Sequence, residues 1–209
     1  MTASDVRLGD LIPTVISLTK GFPTQRAIEH GDVPVMSVAN LRNAAEPRHF
    51  ADRGSMAEVG IESARPGDVL VAIEGGTVGE TMVVSDGLPE FVPSQQAATL
   101  RVMDPSVIDP WYLGAWLATP PATEQLRRLA RGAGIQRIPM KELPSLVVRL
   151  VPLDEQHTVG ERFQAFEAAI RHHREVAQCL GELRDLDLVV TFANDTESTK
   201  ADRSVGGGT

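Results

Sequence analysis

The amino-acid sequence predicts an α/β fold: a compact domain with short strands and few helices, followed by one long, coiled-coil-like helix. Up to residue 152, short runs rich in Val, Ile, Thr and Leu alternate with Gly, Pro, Asp and Asn, a pattern typical of strands joined by turns. Between residues 154 and 192 the chain contains no proline, and its apolar residues recur at helical spacing. We therefore predict a domain over 1–152, a helix over 153–193 and a polar, disordered tail over 194–209.

Within the first domain, turn residues bound five apolar segments that are predicted to be strands. These segments are 33–41, 67–73, 80–85, 96–102 and 145–153. A short helical turn is predicted from Ile61, before a Pro-Gly turn. Two helices are predicted from their start signals. One has Asp109 as N-cap and Pro110 as first helical residue, and the other has Thr123 as N-cap and stops at Gly132.

Bulk composition indicates a soluble globular protein that carries a local basic patch. The chain is 42% hydrophobic and 23% charged, and no window approaches the ~18 apolar residues of a membrane span. It has one cysteine and no signal-peptide pattern at its start, so we expect a cytoplasmic protein without a membrane partner. The net charge of −8 disfavours nonspecific binding to a polyanion. Five cations nevertheless fall within fifteen residues: Arg127, Arg128, Arg131, Arg137 and Lys141.

The long helix carries an apolar seam that predicts helix–helix packing. Six of its residues are spaced 3, 4, 3, 4 and 3 apart, which is the spacing of a coiled-coil seam. Such a stripe requires a partner, because an isolated helix would leave it in water. We expect a partner interface, and self-pairing of the chain, at Phe163, Phe166, Ile170, His173, Ala177 and Leu180.

The motifs of catalysis and of cofactor binding are missing at their usual spacings. The Gly-rich segment 74–80 follows neither the phosphate-loop nor the dinucleotide pattern, and the five histidines have no metal-ligand spacing with one another or with Cys179. Asp68 and Glu74 lie near a strand, as the carboxylates of metal-dependent nucleases do, but Gly76 stands where such an enzyme would carry a lysine. We therefore predict a binding module without cofactor or metal, and a divergent nuclease is the weakest alternative.

Read in order, several segments resemble one half of a type I restriction-modification DNA specificity subunit. They are "DVPVMSVANLRN", "ARPGDVLVAIEGGTVGETMVV", "FVPSQQAATLRV", "WYLGAWLAT" and "RGAGIQRIPMKELPSLVVRLVPLDEQHTVGERFQAFEAAI". The last segment is the most specific, because a glycine-marked loop, a short polar helix, an apolar strand and "P-L-x-E-Q" precede the long helix. The resemblance extends over about residues 5–190.

The resemblance implies a target-recognition domain that reads one half of a split site in double-stranded DNA. It also implies that the long helix serves as a spacer and helps to dock an adenine methyltransferase subunit, with a restriction or translocase subunit as a further partner. A full specificity subunit carries two recognition domains and two such helices, whereas this chain has one of each. We therefore expect a half-subunit that pairs with itself or with a second chain to read a symmetric site.

The segment "GAGIQRIPMKEL" (132–143) is the strongest candidate for DNA contact. Forked side chains such as Arg and Gln read base edges, so Gln136 and Arg137 are predicted to contact bases. Arg131 and Lys141 are predicted mainly to hold phosphates. Further candidates for DNA binding, each equally well explained as an ordinary structural residue, are Lys20, Arg26, Asn40, Arg42, Thr77, Gln95 and Gln96. Of the two adjacent glutamines, placed on one strand by the prediction, at most one faces DNA.

Two alternatives to the specificity subunit stay open. One is a target-recognition module of another DNA-modification or phage-defence system. The other is a helical interaction scaffold that binds no nucleic acid. An adenine methyltransferase encoded next to this chain would favour the specificity subunit.

Overall fold

A computed structural model describes the backbone of residues 3–205 and the side chains of residues 3–190. Within that part of the chain the strands are β1 (Ser4–Arg7), β2 (Ile16–Lys20), β3 (Val33–Met36), β4 (Phe50–Ala51), β5 (Val69–Ala72), β6 (Thr81–Val83), β7 (Val92–Pro93), β8 (Ala97–Val102) and β9 (Val147–Leu150). The α-helices are α1 (Leu8–Leu11), α2 (Val38–Arg42), α3 (Arg53–Glu58), α4 (Pro110–Leu117), α5 (Pro120–Leu129) and α6 (Leu153–Val205). The chain forms two compact units, Met1–Phe166 and Glu167–Thr209.

The first unit is built around a four-stranded antiparallel sheet in the order β2-β8-β5-β6. Strand β5 is buried on both faces, as its uninterrupted apolar sequence predicts. Because side chains alternate along a strand, Val69 and Val71 enter one core while Leu70 and Ala72 enter another. Helices α4 and α5 contribute to the first of these cores. The centre of the sheet is therefore covered on both faces, and the connections lie at its ends.

Two smaller sheets complete this unit. Strand β3 pairs antiparallel with β4 and parallel with β7, and this sheet contributes to a third core around Phe22 and Met56. Strands β1 and β9 form an antiparallel pair. This pairing places the start of the described chain beside the segment that leads into α6.

Four of the five predicted strands are confirmed in shorter form, as β5, β6, β8 and β9. The prediction over 33–41 is wrong in its second half. Strand β3 ends at Met36 because Ser37 caps α2, and the Ser37 hydroxyl oxygen accepts a hydrogen bond from the Asn40 backbone N–H at 3.1 Å. The helical turn predicted from Ile61 is also wrong, since 61–65 has no helical assignment, although a turn follows at 66–67.

The two predicted helix starts had different outcomes. Asp109 is confirmed as an N-cap, because its Oδ1 accepts a hydrogen bond from the Tyr112 backbone N–H at 2.8 Å. Thr123 is wrong as an N-cap and lies inside α5, which Thr119 precedes. The reason is Pro120, which has no N–H to lose at the first helical position and therefore fixes the start there. Helix α5 ends at Leu129 and not at Gly132.

The beginning of α6 is tied to the first unit by side chains that the sequence places close together. Gln156 is buried, and its Oε1 accepts a hydrogen bond from the Asp109 backbone N–H at 3.0 Å, while its Nε2 donates to the Val151 carbonyl oxygen at 2.8 Å. A side chain at Gly160 would clash with Asp109, since a Cβ there would lie 2.5 Å from Oδ1. One turn later, the Phe163 ring packs 6.5 Å from the Trp111 ring. The first turns of α6 are therefore held against α4.

The second unit is helical, and its apolar side chains are exposed as far as residue 190. Ile170, Leu180, Leu183 and Leu186 are all exposed there. Among the described residues, every helix is too short or too polar to cross a membrane. The predicted tail covers 194–209, where the side chains lie outside the described part of the chain. The bounds of α6 extend to Val205, and the disorder of this segment stays a prediction.

Candidate nucleic-acid interface

Most of the candidate DNA-binding residues lie at one end of the four-stranded sheet. Strands β2 and β5 finish at this end and β8 and β6 begin there, since Lys20 is paired with Ala98 and Ala72 with Ala97. We call this edge the loop end, and it consists of the segments 20–26, 73–80, 94–96 and 131–138. The antiparallel topology thus gathers segments that are far apart in the sequence.

Backbone hydrogen bonds through Ile73 join three of these segments. The Ile73 N–H donates to the Gln96 carbonyl oxygen at 2.8 Å, and the Ile73 carbonyl oxygen accepts from the Ile138 N–H at 2.8 Å. The Gly75 N–H then donates to the Gln136 carbonyl oxygen at 3.1 Å. Segment 131–138 therefore docks as an added strand-like edge beside the end of β5.

Segment 131–137 is a narrow hairpin with an exposed tip. The backbones of Arg131 and Arg137 exchange two hydrogen bonds, of 2.9 and 2.8 Å, which close the hairpin. Gly132 has a φ of +112°, and a Cβ at this position would lie 2.5 Å from the Ile135 carbonyl oxygen. Ile135 is 73% exposed at the tip. The tight turn thus requires a glycine at Gly132, whereas a Cβ at Gly134 would meet no atom within 4 Å, and Gln136 is exposed beside the tip.

Four arginines of the predicted interface are paired with carboxylates. The Arg137 guanidinium lies 2.7 Å from Glu74, and that of Arg131 lies 3.4 Å from Glu142. The remaining two pairs are Arg26–Glu58 at 2.8 Å and Arg42–Glu80 at 3.7 Å.

The remaining polar candidates have varied surroundings. The Asn40 side chain is part of the capping box with Ser37, and Arg42 also donates to the Thr81 carbonyl oxygen. Thr77 is half-buried in the Gly-rich loop. Lys20 lines a cavity of about 340 Å³ on the sheet surface. Lys141 is exposed in the 3-10 segment Met140–Ser145, just after the hairpin.

The two adjacent glutamines lie in the turn between β7 and β8, so the prediction that they alternate along a strand is wrong. Gln95 is half-buried, and its Oε1 accepts a hydrogen bond from the Thr24 backbone N–H at 3.3 Å. Gln96 is exposed. The Ala97 N–H donates to the Ser94 carbonyl oxygen at 2.9 Å and closes this turn, so β8 begins at Ala97, one residue later than the apolar run indicates.

Both carboxylates of the nuclease alternative are engaged by arginines. Asp68 is buried and accepts two hydrogen bonds from Arg101, each 2.8 Å long. These bonds to Asp68 raise the pKa of the Arg101 guanidinium further above its usual value, and Glu62 adds to the effect while burial opposes it. Glu74 is bonded to Arg137. Within the described residues no group of three or more His, Cys, Asp or Glu side chains is placed to hold a metal ion.

Of the six predicted interface residues on α6, five are exposed within the first or second unit. They are Phe166, Ile170, His173, Ala177 and Leu180. Phe163 differs, because it is half-buried against Trp111 within the first unit.

Sequence reasoning missed Ile135, Glu80 and the role of Ile73, and it considered Glu74 only as a nuclease ligand. Nothing in the local sequence signals these contacts, since each depends on a distant segment.

Comparison with known proteins gives the family. A sequence model described as "Type I restriction modification DNA specificity domain" matches residues 2–178. The chain therefore belongs to this family, whose model describes a DNA specificity domain. Among curated protein sequences, none matches this chain significantly.

Solved structures with the same fold include S subunits of type I restriction-modification systems. One is from M. genitalium, with 17% identity and a TM-score of 0.57 over 80% of this chain and 40% of that chain. Another is the HsdS subunit from Thermoanaerobacter tengcongensis, with 20% identity and a TM-score of 0.53 over 83% and 39%. A third, from work on complex assembly and conformational transition of the type I R-M system, has 21% identity and a TM-score of 0.54 over 88% and 43%. The chain thus spans about two fifths of the length of these proteins.

The hairpin geometry predicts opposite outcomes for two neighbouring glycines. Gly132→Ala forces a side chain into a positive-φ position against a carbonyl oxygen, so the hairpin should detach from β5. We expect the amide hydrogens of Gly75 and Ile138 to exchange at least about tenfold faster in this variant. Gly134→Ala is the matched control, since a Cβ there has nothing within 4 Å. Equal exchange in the two variants would contradict the described turn.

Proposed function

We propose that this chain reads one half of a split, double-stranded DNA site through the loop end of its sheet. The observation that carries the proposal is the meeting of Gln136, Arg137 and Gln96 at one exposed edge of a domain that belongs to the DNA-specificity family. The loop end offers forked donors, which is what base edges in the major groove require. The covered sheet keeps these donors in a fixed relation to one another.

Roles at the loop end and beside it, where Arg42 and Lys141 lie, follow from side-chain chemistry. Gln136 and Arg137 contact base edges, since Gln pairs with adenine and Arg with guanine. Arg131 and Lys141 hold phosphates beside them, and the other candidates, which include Lys20, Arg26, Arg42 and Thr77, position the duplex. Arg131 and Arg137 each keep donors beyond those used by their carboxylate partners.

The proposed partners are an adenine methyltransferase subunit and, in the complete system, a restriction or translocase subunit. The structures that share this fold are described as S subunits of type I restriction-modification systems, which supports the assignment. In this proposal the chain selects the DNA site and holds no cofactor, and the methyltransferase subunit carries out the methylation. The chain would act in the cytoplasm, where its single, free cysteine stays reduced.

We further propose that α6 pairs with the same helix of a second copy. The exposed apolar residues Phe166, Ile170 and Leu180 support this, because water contact with such a stripe is unfavourable. Phe163 takes part less than the spacing predicts, since its ring already packs on Trp111. A two-fold pair of recognition domains would read a symmetric, split site.

Two single substitutions separate base reading from phosphate holding. Arg137→Ala should cost ~1–3 kcal/mol of binding free energy on the preferred duplex and relax the preference at one base pair. Lys141→Ala should weaken binding to every duplex alike and reduce the salt slope by ~1. The measurement is titration of the purified chain with several duplexes at a series of salt concentrations. If neither change alters binding, the loop end does not face DNA.

Self-pairing predicts a position-dependent effect of one added negative charge on α6. Leu180→Glu should convert a dimer to a monomer, because a carboxylate within the apolar seam would lose its hydration. Gln178→Glu adds the same charge away from the seam and should leave the dimer intact. Sedimentation at several protein concentrations checks both variants. A wild-type chain that stays monomeric throughout would refute the pairing.

A further inference from the structure

An acidic residue lies at the centre of the proposed DNA interface. The Glu74 carboxylate is 2.7 Å from the Arg137 guanidinium, in a pair that joins residues 63 positions apart. A carboxylate at this place is unfavourable for DNA binding, because it repels phosphates and reduces the effective charge of the arginine. The role of Glu74 at this position is therefore something other than raising the affinity for DNA.

The Glu74–Arg137 pair is held by both backbone and side chains. The two residues form an antiparallel β-bridge, and the neighbouring Gly75 N–H donates to the Gln136 carbonyl oxygen. Glu74 has 22% of its side chain exposed, while Arg137 has 54% exposed. The acid is thus fixed against the protein, and the arginine extends from it towards solvent.

Two ion pairs from neighbouring segments lack these features. The Arg128–Glu124 pair lies one turn apart on α5, with both side chains at least half exposed. Arg131 reaches Glu142 at 3.4 Å, and 69% of the Arg131 side chain is exposed. Surface pairs of this kind restrict a side chain weakly. Among these three pairs, the Arg137–Glu74 contact is the shortest and the only one that a backbone bridge reinforces.

The contact leaves Arg137 able to bind a base. The hydrogen bond to Glu74 uses one N–H of Nη2, whereas the Arg137 guanidinium has five N–H donors arranged as forks. A free arginine loses side-chain freedom when it binds, and a guanidinium already held in place loses less. An arginine held at a fixed angle also loses more on a mismatched base, because it cannot swing to another acceptor.

We propose that Glu74 is a positioning residue that fixes Arg137 for base reading and exchanges affinity on all DNA for selectivity at one base pair. This inference rests on the proposed function, because it requires Arg137 to contact a base. It yields a signature that a purely structural ion pair does not have. Loss of the Glu74 side chain should lower base preference and, at the same time, raise affinity for non-preferred DNA.

The experiment uses the purified full chain and a library of randomised DNA duplexes. Bound duplexes are sequenced to give the preference at each base pair, and affinity is then measured on one duplex without the preferred sequence. The variants are Glu74→Ala, Glu74→Gln and Arg137→Ala. Glu124→Ala is the matched control, since it removes one carboxylate from an exposed arginine pair on α5. Thermal unfolding of each variant reports on folding.

The expected results separate the effect of the Glu74 charge on DNA affinity from the effect of Glu74 on the position of Arg137. Glu74→Ala should lose about tenfold in preference at the base pair that Arg137→Ala also affects, while its affinity for the non-preferred duplex rises. Glu74→Gln should keep most of the preference, because its amide oxygen still accepts from Arg137, yet it should show the same rise in affinity. Glu124→Ala should leave the preference unchanged.

Three outcomes overturn the proposal. If Arg137→Ala lowers the preference and Glu74→Ala does not, Glu74 has no positioning role while the proposed DNA reading stands. If Glu74→Ala weakens binding to all duplexes equally, the pair only holds the hairpin in place. If Arg137→Ala leaves every base preference unchanged, the assignment of Arg137 as a reader fails together with this inference.

Discussion

The proposed interface depends on the backbone of one residue, Ile73, at the end of the central strand. Its N–H is bonded to the turn at Gln96, and its carbonyl oxygen is bonded to the N–H of Ile138 in the hairpin segment. The side chain of Ile73 is buried in the main core, so the same residue anchors the loops to the sheet. Backbone bonds between neighbouring extended segments fix their register, because a slip by one residue would turn each side chain to the other face. The positions of Gln96, Gln136 and Arg137 relative to one another therefore follow from a few backbone bonds.

The arginines at the loop end and beside it form ion pairs with neighbouring acids. Arg26, Arg42, Arg131 and Arg137 each have a carboxylate partner. Within the described residues, no ion pair is found for Lys20 or Lys141. This arrangement suits the proposed function, because a chain with a net charge of −8 would attract DNA weakly in general and its selectivity would rest on a few oriented donors. In the proposed complex, much of the remaining cationic surface would come from the methyltransferase.

Local sequence signals predicted the central strands, the Asp109 cap and the start of α6 at Leu153, because apolar runs, capping residues and the absence of proline act over a few residues. Two of these signals were misread where a competing cap was present: Ser37 ended β3 early, and Pro120 set the start of α5. The candidate site was predicted only as a set of side-chain types. Its geometry was not predictable, because Glu74 and Arg137 are brought together by pairing between distant segments, which no local pattern encodes. Gly132 was predicted to stop a helix, whereas its positive φ serves the turn of the hairpin, which depends on contacts that the local sequence does not encode.

In the proposed function, this chain selects a DNA site through the loop end, and a methyltransferase partner modifies that site. The most direct test is to map methylated adenines in cells that carry the adenine methyltransferase with and without this chain. We expect methylation at one split, two-fold symmetric sequence, and only when this chain is present. Methylation of the same adenines in its absence would contradict the assignment of this chain as the reader of the site.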